Sequence, residues 1–140
     1  MLMHKKLKRS ESAKVFRKDM LSVKLCVNQL QKKYIIVLVT TTNKQEAENI
    51  VQQLLKEHLI ACANIVGPVS SFFRWSNEIE KAEEYLVFMK SRENIFEKLT
   101  KKVKKLHSYE VPEIVALPIV EGSKAYLGWL DSCLARSERD

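Results

Sequence analysis

The chain has 140 residues, of which 46% are hydrophobic and 29% are charged, a length and composition typical of one globular domain. No apolar run reaches the ~18 residues of a membrane-spanning helix, so we expect no transmembrane segment. The net charge of +7 arises in residues 1–33, which carry ten basic and two acidic residues. Residues 34–140 hold fourteen basic and fifteen acidic residues, and this balance argues against a core that binds nucleic acid.

Residues 1–33 form a basic N-terminal extension without Gly or Pro. Its apolar residues recur at the 4-3-4-3 spacing of one helix face: Phe16, Met20, Val23, Val27 and Leu30. This segment could target an organelle, lie on a membrane surface or dock on a partner, or it could be a solvated, partly disordered extension. Transit peptides are rich in Arg and poor in acidic residues, which matches this Lys-dominated segment poorly. We favour the solvated extension.

The globular part begins with residues 34–40, a continuous β-branched run typical of a central strand buried on both faces. Asn43 and Glu46 follow at the spacing of a capping box, which predicts a helix that ends near His58. These two patterns predict that the domain opens with a strand followed by a helix.

Two long strand-like runs, residues 61–75 and 78–90, are joined at Ser76-Asn77. Asn suits a turn position with positive φ, so the runs predict a hairpin. At roughly 3.3 Å per residue, a strand of about 14 residues would reach about 45 Å. A domain of ~107 residues has a radius of gyration of only about 13 Å.

A hairpin of this length must bend, for which Gly67-Pro68 offers a place, or it must protrude from its own domain. Its tip carries three aromatic residues, Phe72, Phe73 and Trp75. Because exposed apolar patches mark interaction sites, we expect the hairpin to contact a partner.

A second helix is predicted from Ser91 to about His107, with apolar residues on one side. We interpret the five lysines on its other side as a solvated face. They are Lys98, Lys101, Lys102, Lys104 and Lys105. Residues 114–119 form a fourth strand bracketed by Pro112 and Pro118. Proline lacks the donor that a central strand needs, so this strand belongs at a sheet edge.

A short helix after Gly122-Ser123 completes the order β-α-β-β-α-β plus one helix. The natural closure is an α+β fold, a ferredoxin-like βαββαβ sandwich with a long central hairpin and an extra C-terminal helix. Two helices on one face would leave the other face of an apolar sheet uncovered. We therefore expect self-association.

The three cysteines, Cys26, Cys62 and Cys133, lie far apart and form no C-x-x-C pair. An odd number without framework spacing argues against a disulfide scaffold and indicates a reducing compartment. The sequence therefore predicts a cytoplasmic protein. Free cysteines pack as small hydrophobic residues, so we expect Cys62 and Cys133 to be buried.

The densest polar cluster is residues 107–113, which contains His107, Glu110 and Glu113. One imidazole and two carboxylates can supply nitrogen and oxygen ligands to a divalent metal ion. Alternatively, His107 ends a helix, where the helix dipole favours a cation. Spacing alone leaves both interpretations open. With three glycines in the chain, at 67, 122 and 128, glycine-rich phosphate loops are excluded.

Five segments stand in order along residues 34–134. They are ACANI at 61–65, FRWSNEI at 73–79, MKS at 89–91, LHSYEVPEI at 106–114 and YLGWL at 126–130. Together they resemble the CutA family, the divalent-cation tolerance proteins. The resemblance implies a ferredoxin-like fold, a homotrimer interlocked through the long hairpins, and weak binding of copper or another divalent ion without catalytic activity.

The resemblance also carries site residues to the matching positions of this chain. It implies metal ligands at His107, Glu110 and Glu113. It implies cofactor-binding residues at Trp75, Lys90 and Tyr109.

Two further interpretations stay open. Trimers of ferredoxin-like subunits such as the PII signalling proteins bind a small effector in clefts between subunits, and they share this architecture. An enzyme would require Lys90, Tyr109 and the two carboxylates to converge in a cleft.

Five positions depart from the CutA pattern, and two of them are Ser91, where the family usually has Thr, and Ser108, where it usually has Pro. Phe73 replaces the usual Tyr of the hairpin, and Asn77 replaces a turn Gly whose backbone conformation Asn also tolerates. The cysteine that some members carry near the end of the first strand has no counterpart, since Val39 lies in that stretch. Metal binding is therefore predicted less firmly than the fold.

Overall fold

The computed structural model describes residues 34–136, so the predictions for residues 1–33 lie outside the described part of the chain. The elements in order are β1 (Tyr34–Thr41), α1 (Lys44–Lys56), β2 (Cys62–Trp75), β3 (Glu78–Arg92), α2 (Phe96–Leu106), β4 (Ile114–Pro118) and α3 (Lys124–Cys133). A short 3-10 turn, Glu93–Ile95, precedes α2. No helix in residues 34–136 is long and apolar enough to cross a membrane.

The four strands form one antiparallel sheet in the order β2-β3-β1-β4. This confirms the α+β, ferredoxin-like βαββαβ arrangement with an extra C-terminal helix. It also confirms that β1 is central and that the proline-bracketed β4 lies at an edge. The second edge strand is β2.

The core lies between one face of the sheet and the helices. Val37 and Val39 of β1 are fully buried in one cluster with Ile50 of α1 and Leu99 of α2. Burial along β1 alternates strictly, so the prediction of a strand buried on both faces is wrong for the single chain. The reason is that α1 and α2 pack on the same face, and the other face of β1 is only half-buried.

The long hairpin is confirmed. Its pairing runs from Trp75 opposite Glu78 to Cys62 opposite Lys90. Ser76 and Asn77 have φ values of 49° and 64°, which is the left-handed conformation that two-residue hairpin turns require. The pairing register shifts between Val66 and Val69, at the Gly67-Pro68 step where a bend was expected, and such irregularities bend a strand.

The start of α2 was predicted wrongly. Ser91 and Arg92 continue β3, and the helix begins at Phe96. Ser91 pairs with Ile35, and its hydroxyl donates to the carbonyl of Leu59 at 2.7 Å. The serine at which the helix was predicted to begin is thus buried in the sheet.

Neither Cys62 nor Cys133 is buried; both are half-exposed. Cys62 opens β2, which is an edge strand of the sheet that residues 34–136 form. Cys133 ends α3, while Leu130, one turn earlier, fills the core. The expectation of core packing is therefore wrong for Cys62, whereas Cys133 is partly buried and packs against the core cluster.

Candidate functional site

A polar network connects the loop after α2 to the C-terminal end of β1. We call it the loop network. Its members are Thr40, Glu46, Glu84, His107, Ser108 and Tyr109. The side chain of His107 is fully buried. Its Nε2 lies 2.7 Å from the carbonyl oxygen of Thr40, and its Nδ1 accepts the backbone N–H of Tyr109 at 3.0 Å. This pairing requires the neutral ring with its proton on Nε2.

Glu46 joins the loop network to the start of α1. Asn43 caps this helix by accepting the Glu46 N–H at 2.8 Å, which confirms the predicted cap. The Glu46 carboxylate accepts the N–H of Thr42 at 3.3 Å and that of Ser108 at 3.2 Å. It also lies 3.7 Å from His107 Nε2. One carboxylate therefore holds two chain segments that are 66 residues apart in sequence.

Tyr109 joins the loop network to β3. Its hydroxyl donates to the buried carboxylate of Glu84 at 3.3 Å. Burial is the main cause that raises the pKa of Tyr109, and the nearby Glu84 carboxylate raises it further. The sequence identified Glu46 only as part of a helix cap, and it did not single out Glu84. Glu84 lies in a strand with one side toward the core. A carboxylate on that side would need a hydrogen-bond partner, which is the one sequence signal that could have identified it.

The predicted metal ligands do not form a cage in one chain. Glu110 and Glu113 are exposed, whereas both ring nitrogens of His107 already have partners. Across residues 34–136, no group of three or more His, Cys, Asp or Glu side chains is placed to hold a metal ion. Residues 34–136 of a single chain therefore do not fit a resident metal.

A second cluster lies where α3 meets the start of the hairpin, and we call it the Lys90 cluster. It comprises Lys90, its strand partner Cys62, and Tyr126. The Cys62 Sγ lies 3.4 Å from the Tyr126 hydroxyl, and Lys90 Nζ lies 5.4 Å from the centre of the Tyr126 ring. A hydrogen bond with Tyr126 is the main cause that raises the pKa of Lys90. This arrangement places an ammonium, a thiol and a phenol within reach of one anionic group.

The predicted cofactor-binding residues are separated in one chain. Trp75 ends β2 at the tip of the hairpin, and Lys90 lies at its base. Twelve residues separate Lys90 from Glu78, the strand partner of Trp75, which is about 40 Å at roughly 3.3 Å per residue. Tyr109 contacts Glu84, about halfway along β3. Within one chain, Trp75 and Lys90 therefore do not belong to one site.

Comparison with known sequences identifies one family whose match spans the fold and both clusters. The family described as CutA1 divalent ion tolerance protein matches residues 35–133. The chain belongs to the CutA1 family. The divalent-cation tolerance protein CutA of Thermus thermophilus is 45% identical over 95 residues, which cover 68% of this chain and 92% of that protein.

A second relative, the chloroplastic protein CutA of Arabidopsis thaliana, is 38% identical over 96 residues, which cover 69% of this chain and 53% of that protein. Among solved structures, CutA1 from Oryza sativa matches with a TM-score of 0.73 at 37% identity, and the match covers 75% of this chain and 96% of that one. The resemblance to CutA read from the sequence is thus confirmed. The CutA1 match contains the loop network, the Lys90 cluster and the whole hairpin, and residues 1–33 lie outside it.

Proposed function

We propose that this CutA1-family protein acts in divalent cation tolerance as a cytoplasmic homotrimer that binds divalent metal weakly, with copper as the preferred ion, and that it catalyses no reaction. The observation that carries this proposal is the exposed hairpin. Phe72, Trp75 and Ile79 are 67%, 64% and 76% exposed, although side chains of this size normally pack against a partner.

Two features of the sheet support assembly. The edge strand β2 offers unpaired backbone groups, which another chain can pair. The face of β1 away from the helices carries Ile36 and Leu38, which are only half-buried. Obligate interfaces that cover such surfaces often bury 2,000 Å² or more, and three interlocked hairpins would do so.

Light scattering coupled to size-exclusion chromatography tests the assembly. The expected particle has three times the 16.3-kDa mass of the chain. The double variant Phe72→Glu/Trp75→Glu should dissociate, because it places charges in the proposed interface. Val120→Glu, at a side chain that is 87% exposed outside the hairpin, is the matched control and should remain trimeric. A folded wild-type monomer at micromolar concentration would contradict the proposal.

The metal site is proposed to form only in the assembled protein. Glu110 and Glu113 are the accessible oxygen donors, and carboxylates of neighbouring subunits would complete the coordination. His107, the nitrogen ligand expected from sequence, would join them only by giving up its bond to Thr40. This requirement explains why we propose weak rather than tight binding.

Copper calorimetry on the assembled protein tests the ligands. Glu110→Gln/Glu113→Gln should weaken binding at least tenfold, about 1.4 kcal/mol. Glu48→Gln/Glu97→Gln, two exposed carboxylates on the helices, is the control with the same change in charge. His107→Ala reports whether the imidazole contributes. If neither Glu110→Gln/Glu113→Gln nor His107→Ala changes the copper isotherm, these residues do not belong to the proposed site.

A second candidate function rests on the Lys90 cluster. Its ammonium, thiol and phenol converge as in a site for a small anionic effector, which is the PII-like interpretation. In this case Lys90→Met should abolish effector binding while copper binding persists. Lys104→Met, on the exposed side of α2, is the control. Effector binding that Lys90→Met leaves intact would exclude this cluster.

A further inference from the structure

We propose that a groove along the outer side of α2 binds a small polyphosphate ligand. The groove has a volume of about 390 Å³. Lys98, Lys101, Lys102 and Lys105 line it, together with Glu57, Leu59 and Ala135. We call it the lysine groove. It shares no residue with the loop network or the Lys90 cluster, and it does not depend on the proposed function.

The four groove lysines form one stripe of α2. Their spacing of i, i+3, i+4 and i+7 puts them on the same helix face. The opposite face packs into the core through Leu99 and Val103, which are fully buried. Lys104 belongs to neither set, because it is exposed outside the groove. Four of the five lysines of α2 therefore line one groove, and the fifth, Lys104, lies outside it.

The groove carries more positive than negative charge. Lys102 lies 3.4 Å from Glu57, and Lys101 lies 3.4 Å from Glu97. Four ammonium groups thus face two carboxylates. Like charges four residues apart on a helix destabilise it, and this applies to Lys98 with Lys102 and to Lys101 with Lys105. A bound polyanion would relieve both repulsions.

One groove lysine is already oriented. The Lys102 side chain is 29% exposed, compared with 73% for Lys101, and Glu57 holds its ammonium in place. Leu59 is buried beneath the lysines, so the floor of the groove is apolar. A partly buried, ion-paired cation, exposed cations around it and an apolar floor suit a ligand that has several anionic groups and a less polar part.

The dimensions favour a small ligand over a nucleic acid. Seven residues of helix separate Lys98 from Lys105, which is about 11 Å at 1.5 Å per residue. The volume lies in the range of roughly 300–1,000 Å³ that is usual for small-molecule sites. Double-stranded DNA presents one charge per ~1.7 Å over a long track, and residues 34–140 carry no matching excess of basic residues. Lysine is a frequent partner of phosphate as a point charge.

Calorimetry on the full chain tests the groove with two probes, inorganic tripolyphosphate and ATP. The groove variant Lys98→Ala/Lys101→Ala/Lys105→Ala should weaken binding of the tighter probe at least tenfold. The control variant Lys44→Ala/Lys104→Ala/Lys124→Ala removes the same charge from exposed positions elsewhere and should change it less than twofold. Because both variants keep the basic residues 1–33, binding to that extension affects them equally.

A third variant acts in the opposite direction. Glu57→Gln releases Lys102 and should tighten binding about threefold by removing the competing carboxylate. Preference for ATP would indicate that the nucleoside contacts Leu59, whereas equal affinities would indicate recognition of the phosphates alone, and both support the site. Equal weakening by the two triple variants, or no saturable binding of either probe, would overturn the proposal.

Discussion

The imidazole of His107 closes the end of β1 by donating from Nε2 to the carbonyl oxygen of Thr40 at 2.7 Å. The two residues are 67 positions apart, so this bond fixes the loop after α2 to the sheet. The second ring nitrogen accepts from the Tyr109 backbone. The histidine expected to bind metal therefore anchors the start of the loop that carries the exposed Glu110 and Glu113.

The first prediction concerns this structural role. His107→Ala leaves the Thr40 carbonyl without its imidazole donor, and losing a buried hydrogen-bond partner costs about 1–3 kcal/mol. The free energy of unfolding should fall by about 2–3 kcal/mol in urea titrations at fixed protein concentration. His107→Gln can still donate a hydrogen bond, so it should lose less stability than His107→Ala. Full stability of His107→Ala would contradict the structural role.

The second prediction concerns Gly67 at the bend of the hairpin. A Cβ added there would lie 2.5 Å from Cδ1 and 2.8 Å from Cγ of Tyr85, so the ring would have to move. Gly67→Ala should cost about 1–3 kcal/mol, as overpacking does. Gly128→Ala is the control, because an added Cβ on this exposed helical residue meets nothing within 4 Å. It should stabilise by up to about 1 kcal/mol, and equal effects would refute the clash.

The third prediction is a pH dependence set by Tyr34. Burial and then the hydrogen bond to Asp131, 2.6 Å long, raise the pKa of Tyr34 to about 12 from the usual 10.0. The unfolded chain thus releases this proton near pH 10, and the folded protein keeps it until about pH 12. Between these values the folded state binds more protons, so stability falls as pH rises. Below pH 10 the contribution is complete.

Tyr34→Phe provides the comparison for that prediction. Its stability should fall less steeply than that of the wild type between pH 10 and pH 12, because the shifted group is gone. Arg92 still pairs with Asp131 at 3.3 Å, so the loss at neutral pH should stay near 1 kcal/mol. Urea midpoints across this pH range provide the measurement. Parallel pH profiles of the two proteins would show that Tyr34 titrates normally.

The sequence was sufficient where local rules decide the structure. Asn77 required a positive φ, and the structure has it. Asn43 had the residue type and spacing of a helix cap, and it caps α1. Pro118 excluded β4 from the centre of the sheet. These outcomes depend on backbone chemistry within a few residues, which periodicity and turn preferences capture.

The sequence was insufficient where partners are distant along the chain. Arg92 ends β3, and its guanidinium donates to Asp131, which is 39 positions away. The partners of His107 could not be identified from residues 107–113 alone. The five lysines of α2 gave a single charged run in sequence. They divide into groove and surface residues only because the fold brings Leu59 and Ala135 beside α2.

The fourth prediction concerns residues 1–33, which carry the excess positive charge and lie outside the CutA1 match. Deleting residues 1–32 should leave folding and assembly intact, because the family match begins at residue 35 and terminal segments without tertiary contacts contribute little stability. The melting temperature should move by no more than a few degrees, and the number of chains per particle should be unchanged. A drop of about ten degrees or more would instead indicate that the stripe from Phe16 to Leu30 packs on the domain.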